Sequence, residues 1–459
     1  MDLAKRKLIQ ASLFGAAGLG LRSLATGLPI GLLSQLVNPR VARADTTDDT
    51  ADGAVPACIK SQYLILFNSG SGDPLNANVP GTYDDPDVYH SLDPRMAKTA
   101  MTVGGKQTYG AAAWAGLTPE ILNRTAFFHH GTYTNAHGDV AKVNRIMGSL
   151  QRQEMLVSFI SKTLTSCLGP GGALGVGGTV QPSPVCLAND LITYDGAVIP
   201  PLNPQNLQAV LTGPGSPLLQ NLQALRDKDL DSLHDLFRQS GTASQIALLD
   251  QYAASQSQVR NINQQILSDL SNITGNSRTD YNIAAAVLIR LNVSPTLVMP
   301  LNFGGDNHGD TGLAGEAEQT SQSIGQIEDL YGRLKNYGLQ DNVTMMFQNV
   351  FGRTLNTASH SGTIDGRNHN SDHHCTVVIG STINSGVYGG IQLNSSSTDF
   401  QATTINSTTG AGGPNGDISY VDTLASVAKT VSAAVGVPQA VYDFQITNGI
   451  HIPAALKST

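Results

Sequence analysis

At 459 residues the chain can bury a large core, either as one big domain or as two to three small ones. Charged residues make up only 14% of it and the formal net charge is -8, which argues against a nucleic-acid binder with a basic face. Plentiful Gly, Ser, Thr and Asn describe a soluble protein with a neutral polar surface and long loops, common outside the cytoplasm.

The N-terminus has a basic start at Lys5-Arg6-Lys7, a weakly hydrophobic Gly/Ala/Leu stretch and a small-residue site at Ala42-Arg43-Ala44. This pattern predicts an export signal over residues 1–44, cut before Asp45. Lys5-Arg6-Lys7 followed by Leu8 and Ile9 resembles a twin-arginine signal with Lys in place of the first Arg. An uncleaved anchor is the alternative reading. Arg22 and Pro29 interrupt the stretch, so no stable membrane insertion is expected after signal removal. The expected location is the periplasm or another exported compartment, with residues 45–459 as a single domain.

Tyr63-Leu64-Ile65-Leu66-Phe67 is a continuous apolar run that predicts a buried strand. It leads into NSGSGDPLN, where glycines let the chain turn sharply and place Asp73 at the strand's end; an Asx-turn before Pro74 is the plainer reading. Thr125 to His129 predicts a second strand, opening into a loop that crowds His129, His130, His137 and Asp139 with the hydroxyls of Thr132 and Thr134. A helix is expected from Asp139 through Leu150. A hydroxyl at such a strand-to-helix junction is placed for nucleophilic attack or oxyanion contact, although the histidines fit a polar loop equally well. Cys167 and Cys186 bracket a Gly/Pro-rich loop and are the best disulfide candidates in an exported chain; Cys58 and Cys375 are a second possible pair. The absence of CxxC argues against a thiolate zinc site.

Residues 216–273 change to Leu, Gln, Asp and Ser at helical spacing, which predicts a helical insertion or lid. Tyr281 to Leu291 is expected to be helical, followed by a strand over Thr296 to Phe303. An amphipathic helix then carries Ile324, Ile327, Leu330, Tyr331 and Leu334 and stops at Gly338. Asn342 to Phe347 predicts the next strand and Cys375 to Gly380 another. Residues 384–417 read as loop, and Val421 to Val435 as a last helix. Strand, helix, strand, with polar clusters on the same side each time, is the pattern of a mostly parallel sheet flanked by helices.

Two of those polar clusters carry metal-ligand chemistry. The stretch from Phe351 to His374 gathers Arg353, His360, Asp365, Asn368, His369, Asp372, His373 and His374, and GGDNHGD supplies Asp306, His308 and Asp310. Neutral ring nitrogens and anionic oxygens gathered at strand ends are what a divalent cation needs in exchange for its water. The expectation is a metal-centred site at one edge of an α/β sheet.

The order of these motifs resembles the exported bacterial family called domain of unknown function fifteen-hundred-and-one, of the alkaline phosphatase and sulfatase superfamily. The counterparts of its motifs are Ser71-Gly72-Asp73-Pro74-Leu75-Asn76, Ala136-His137, Gly304-Gly305-Asp306-Asn307-His308, Val350-Phe351-Gly352-Arg353-Thr354 and Gly366-Arg367-Asn368-His369. They span nearly the whole mature chain. Val350 stands where the family has Glu, Asn368 where it has Asp and Ala136 where it has Ser. Asn can ligate through its carbonyl but supplies no charge, and Asp372-His373 offers a replacement four residues on.

The resemblance implies an alkaline phosphatase-like fold with one or two divalent metal ions, one polarising ester oxygens and the other activating a hydroxyl. Asp73 would hold one ion with the Asn368-His369 or the Asp372-His373 pair, and Asp306 and His308 would contribute to the other. Arg353 is implied as a clamp on a phosphate or sulfate oxygen, with a structural ion pair as its alternative. Thr134, at the junction after the second strand, is the nucleophile candidate, with Thr132 as alternate. Two readings follow: an exported metal-binding hydrolase of small anionic phosphate or sulfate esters, or a catalytically degenerate structural or binding protein on the same fold.

Overall fold

A computed structural model of the chain describes residues 62–168, 182–188, 192–212, 235, 264–356 and 365–458. The expected export signal, most of the insertion over 216–273, His360 and Cys58 lie outside the described residues. So does the side chain of Cys167. The described residues fall into two compact units, one within 203–293 and the other comprising the rest.

The smaller unit is helical over Pro204–Thr212, 264–271 and Arg278–Arg290. Gln208 ties the first two segments by donating to the carbonyls of Leu270 (2.7 Å) and Ile273 (3.0 Å). The third starts on a capping box: Ser277 Oγ accepts the Asp280 N–H, and the Asp280 carboxylate accepts the Ser277 N–H at 2.8 Å. Two N–H groups that a helix start leaves without partners are thereby satisfied.

The larger unit is built on a seven-stranded sheet: β1 (Tyr63–Ser69), β2 (Thr125–His130), β3 (Val185–Cys186), β4 (Thr296–Pro300), β5 (Val343–Asn349), β6 (His374–Ile379) and β7 (Gly386–Tyr388). Their order across the sheet is β7-β2-β6-β5-β1-β4-β3. β1 lies parallel between β4 and β5, with Ile65 opposite Leu297 and Met345. β3 runs parallel to β4 and β7 to β2. β6 is antiparallel to both neighbours, Val377 facing Phe127 and Phe347. One reversed strand in a mostly parallel sheet puts the C-terminal ends of β1, β2, β4 and β5 on the same edge as the N-terminal end of β6. All residues of β1, β2, β5 and β6 are buried, as continuous apolar runs covered on both faces should be.

On one face Leu64, Leu66, Val298 and Met346 pack with α1 (Leu156–Leu168) and α3 (Thr423–Ala434) through Leu156, Ile160, Leu164, Leu424, Val427 and Val431. On the other, Phe67 stacks on Phe347 at 4.4 Å, and Trp114 stacks on Phe303 and meets Phe127 edge-on. The amphipathic helix is α2 (Ala314–Asn336), which buries Ile324, Ile327, Leu330 and Leu334. Asp310 starts it by accepting the N–H groups of Gly315 and Glu316, both at 2.8 Å. Gly338, at φ 70°, ends it, so that Leu339 N–H reaches back to the Leu334 carbonyl at 2.8 Å.

Several sequence expectations differ from the structure. The helix expected from Asp139 to Leu150 is α-helical only over Val140–Asn144, because Ile146 and Met147 adopt left-handed backbone. The loop expected over 384–417 contains β7 and an antiparallel pair, Ile391–Leu393 with Phe400–Ala402. Cys186 is buried, and its Sγ donates to the Ala188 carbonyl at 3.0 Å. Cys375 is a buried free thiol. Among the described residues no helix is long and apolar enough to cross a membrane.

Candidate metal centre

At the shared sheet edge, ligand atoms of His137, Asp306, His308 and His369 all lie within 4.8 Å of one another. Each comes from a different turn except Asp306 and His308, which share the loop after β4. His137 follows β2, and His369 precedes β6 on a short antiparallel pairing in which it faces Arg353. The site therefore forms only when strands far apart in sequence are in register.

Backbone carbonyls decide which ring nitrogens point inward. The glycine-rich turn after β1 exposes three in succession. Gly70 accepts from His137 Nδ1 at 2.8 Å, and Ser71 and Gly72 accept from the Arg353 guanidinium. The Asn135 carbonyl accepts from His369 Nδ1 at 2.6 Å. A carbonyl can only accept, so both rings carry their proton on Nδ1 and turn the Nε2 lone pair inward, the usual support of a metal-binding histidine. Phe351, fully buried, forms the floor: its ring lies 4.2 Å from that of His369 and 4.9 Å from that of His137.

Four acceptors converge there. His308 Nε2 is 2.8 Å from His369 Nε2 and 3.5 Å from Asp306 Oδ1, and His137 Nε2 is 3.5 Å from Asp306 Oδ2. His308 Nε2 also receives an N–H of Arg353 at 3.3 Å. Lone pairs at such separations repel unless a shared positive charge, a proton or a metal ion, stands among them. Bonds of ~2.0–2.1 Å to a divalent ion leave ligand atoms roughly 3.0–3.4 Å apart, a range that the observed 2.8 Å and 3.5 Å spacings bracket. Three imidazoles and a carboxylate, with no thiolate, suit a first-row divalent ion better than calcium or magnesium. Burial works to raise the Asp306 pKa, but the hydrogen bond and charge of Arg353, with those of His308 and His137, outweigh it and hold the carboxyl below its usual range. Burial lowers the pKa of His369, aided by the nearby Arg353 charge, and keeps the ring neutral. Both groups are thus in their ligating forms.

Arg353 is fully buried and spends all five N–H groups inside the chain. Nε donates to Gly72, Nη1 to Arg367 O (3.2 Å) and His308, and Nη2 to Ser71 O (2.7 Å) and Asp306 Oδ1 (2.7 Å). As placed, it orients two ligands and has no donor left for an ester oxygen. Asp73 lies beneath the group and is not part of it. Its Oδ1 accepts the N–H groups of Phe303 (2.7 Å) and Gly305 (2.8 Å), fixing the turn that presents Asp306. Burial raises its pKa against the opposing hydrogen bonds from Ser69, Gly305 and Phe303. Gly304 (φ 130°) has no room for a side chain there, since a Cβ would stand 2.8 Å from Pro74.

The other residues expected at the site are elsewhere. Asn368 is exposed, its backbone paired with Thr354. Asp372 accepts from Ser371 (3.0 Å) and Tyr420 (3.2 Å). His373 is fully buried, with its Nε2 on His129 Nδ1 at 2.9 Å and its Nδ1 on Asn76 at 3.1 Å. Of the two alternative registers, the structure brings His369 to the group and leaves half-buried Asp372 and fully buried His373 outside it. The Thr134 hydroxyl donates to Asp139 at 2.7 Å; the Thr132 hydroxyl is buried without a partner. Sequence reading missed His137 as a ligand and Phe351 as its support, although the Ala136-His137 and Phe351-Gly352-Arg353 motifs carried the signal.

His129, His130, His373 and His374 form a second, fully buried group where β2 pairs with β6. Burial lowers the pKa of His129 and of His130 to about 4, and drives those of His373 and His374 well below the usual value. No family model and no curated protein matches this chain.

Proposed function

We propose that this chain is an exported metal-binding protein that hydrolyses phosphate or sulfate esters at the group formed by His137, Asp306, His308 and His369. The observation that carries the metal is the pair of Nδ1-to-carbonyl hydrogen bonds, which commits His137 and His369 to presenting Nε2 lone pairs beside a carboxylate. Exposure favours chemistry at the site over a purely structural ion: the side chains of His137, Asp306 and His308 are 40%, 48% and 43% exposed. Structural sites are usually closed by protein ligands, whereas catalytic ones keep a position open. His137, Asp306, His308 and His369 would hold a divalent ion, which would supply Lewis-acid chemistry for ester hydrolysis. Arg353 keeps the Asp306 carboxylate and His308 in place, Asp73 holds the turn beneath them, and Phe351 keeps two rings upright. The chain itself is acidic, so a bound ion would supply the positive charge that an anionic substrate requires.

The test is elemental analysis of protein purified without added metal, then assays with aryl phosphate and aryl sulfate. Bound metal with turnover of either ester is the expected result. Metal without turnover supports the second reading, a non-catalytic exported metal-binding protein. That reading draws on the saturated hydrogen bonding of Arg353 and on Thr134, whose proton is committed to Asp139. Absence of metal contradicts both. For export, the exported fraction should begin at Asp45; a chain retained with residues 1–44 contradicts it.

A further inference from the structure

The segment from Arg145 to Glu154 concentrates unfavourable backbone. Ile146, Met147, Arg152 and Gln153 have φ of 53°, 51°, 56° and 53°. That conformation crowds Cβ against the carbonyl oxygen and is rarest for a β-branched residue such as Ile146. A fifth such residue, Asp195 at φ 47°, turns the hairpin that pairs Thr193–Tyr194 with Ala197–Val198. A cavity of about 410 Å³ is lined by Arg145, Arg152, Gln153, Glu154, Thr193 and Gly196, so both strained turns contribute to its wall. Backbone held in such conformations persists where the surroundings enforce it, and it gathers at binding sites.

The charges of this wall are uneven. Glu154 spends Oε1 on the Met155 N–H (3.2 Å) and Oε2 on the Asp195 N–H (3.4 Å), bracing the two sides together. Among the described residues neither Arg145 nor Arg152 forms an ion pair, and Arg145 Nε is buried without a partner. Two guanidinium groups against one carboxylate leave the cavity net positive, and α1 begins two residues beyond Glu154, adding the positive end of a 13-residue helix.

We propose that this cavity binds a small molecule through a carboxylate or phosphate group, held by the planar donor fork of Arg145 with Arg152 as the second charge. A guanidinium left without an anion is the feature such oxygens satisfy, and the volume lies in the range of small-ligand pockets. The inference is independent of the histidine group.

Calorimetric titration of the full chain with inorganic phosphate and, separately, with succinate tests it. Saturable binding of at least one anion is expected, weakened at least tenfold in Arg145→Gln and in Arg152→Gln and retained in Asp306→Ala, which separates it from the metal centre. Preference for phosphate or succinate identifies the oxyanion. Absence of binding by both anions overturns the proposal. So does binding unchanged in both arginine variants, binding lost in Asp306→Ala, or equal weakening by Lys162→Gln, an exposed charge outside the cavity. If Arg145→Gln does not fold, the exposed Arg152 carries the test alone.

Discussion

Two groups of histidines stand at the same sheet edge and are put to opposite uses. In the exposed group, His137 and His369 give Nδ1 to backbone carbonyls and aim Nε2 at Asp306. In the buried group His129 spends both nitrogens, on Pro80 O and His373, and His130 both of its own, on Gly131 O and Thr376. Among the described residues no carboxylate joins them as a hydrogen-bond partner. What makes an imidazole a candidate ligand here is the anchoring of its other nitrogen and a nearby anion, not its density in the sequence.

The largest effect that sharpens this contrast comes from deleting the carboxylate. Asp306→Ala should lose its metal and with it the metal's stabilisation, on the order of 4 kcal/mol at a metal concentration a thousandfold above Kd. His373→Ala should keep its metal while losing about 2–4 kcal/mol of stability, because its buried partners are left unsatisfied. Metal analysis and urea unfolding of the two variants check both halves; equal metal loss would erase the distinction.

Acid should act on the buried group next. Burial lowers the pKa of His129 and of His130 to about 4 in the folded chain, from an ordinary value of 6.5. Between those values the unfolded chain binds more protons, so stability is full above pH 6.5 and falls as pH drops toward 4. A shift of that size is worth on the order of 3 kcal/mol per ring. Urea midpoints in metal-free protein should drop steeply from pH 7 to pH 4; flat midpoints would show these rings to be hydrated.

A smaller effect is expected from Arg353→Lys. Lysine cannot reproduce a fork donating to Asp306, His308 and three carbonyls, so metal affinity should fall roughly 10–100-fold, as when outer partners of metal ligands are removed. Competition with a chelator of known affinity measures it. The smallest effect is expected from Thr134→Val, which removes the bond to Asp139, costs about 1 kcal/mol and leaves metal content unchanged. If esterase activity exists and disappears in this variant with metal retained, Thr134 is the nucleophile after all.

Much of the fold was legible because β1, β4 and β5 are apolar runs ending in polar turns, and α2 shows its stripe and its Gly338 stop. The reversed direction of β6 was not legible, since a buried strand looks the same either way. Asp306, His308 and His369 could be read as ligands from residue type and position. Asp73 and Arg353 could not be assigned correctly, because what separates a ligand from its support is which acceptors the surrounding backbone offers. The same holds for His369 against His373: only the pairing with Arg353 and the reach of the Asn135 carbonyl place one at the group and bury the other.

The exposed imidazoles, and not the buried ones, are proposed to hold a metal. Long-range ¹⁵N–¹H spectra of the histidine rings, recorded while zinc is titrated into metal-free protein, test this directly. Nε2 of His137, His308 and His369 should shift together and saturate near one ion per chain, with His129, His130, His373 and His374 unmoved. Shifts in the buried rings, or none in the exposed ones, would contradict it.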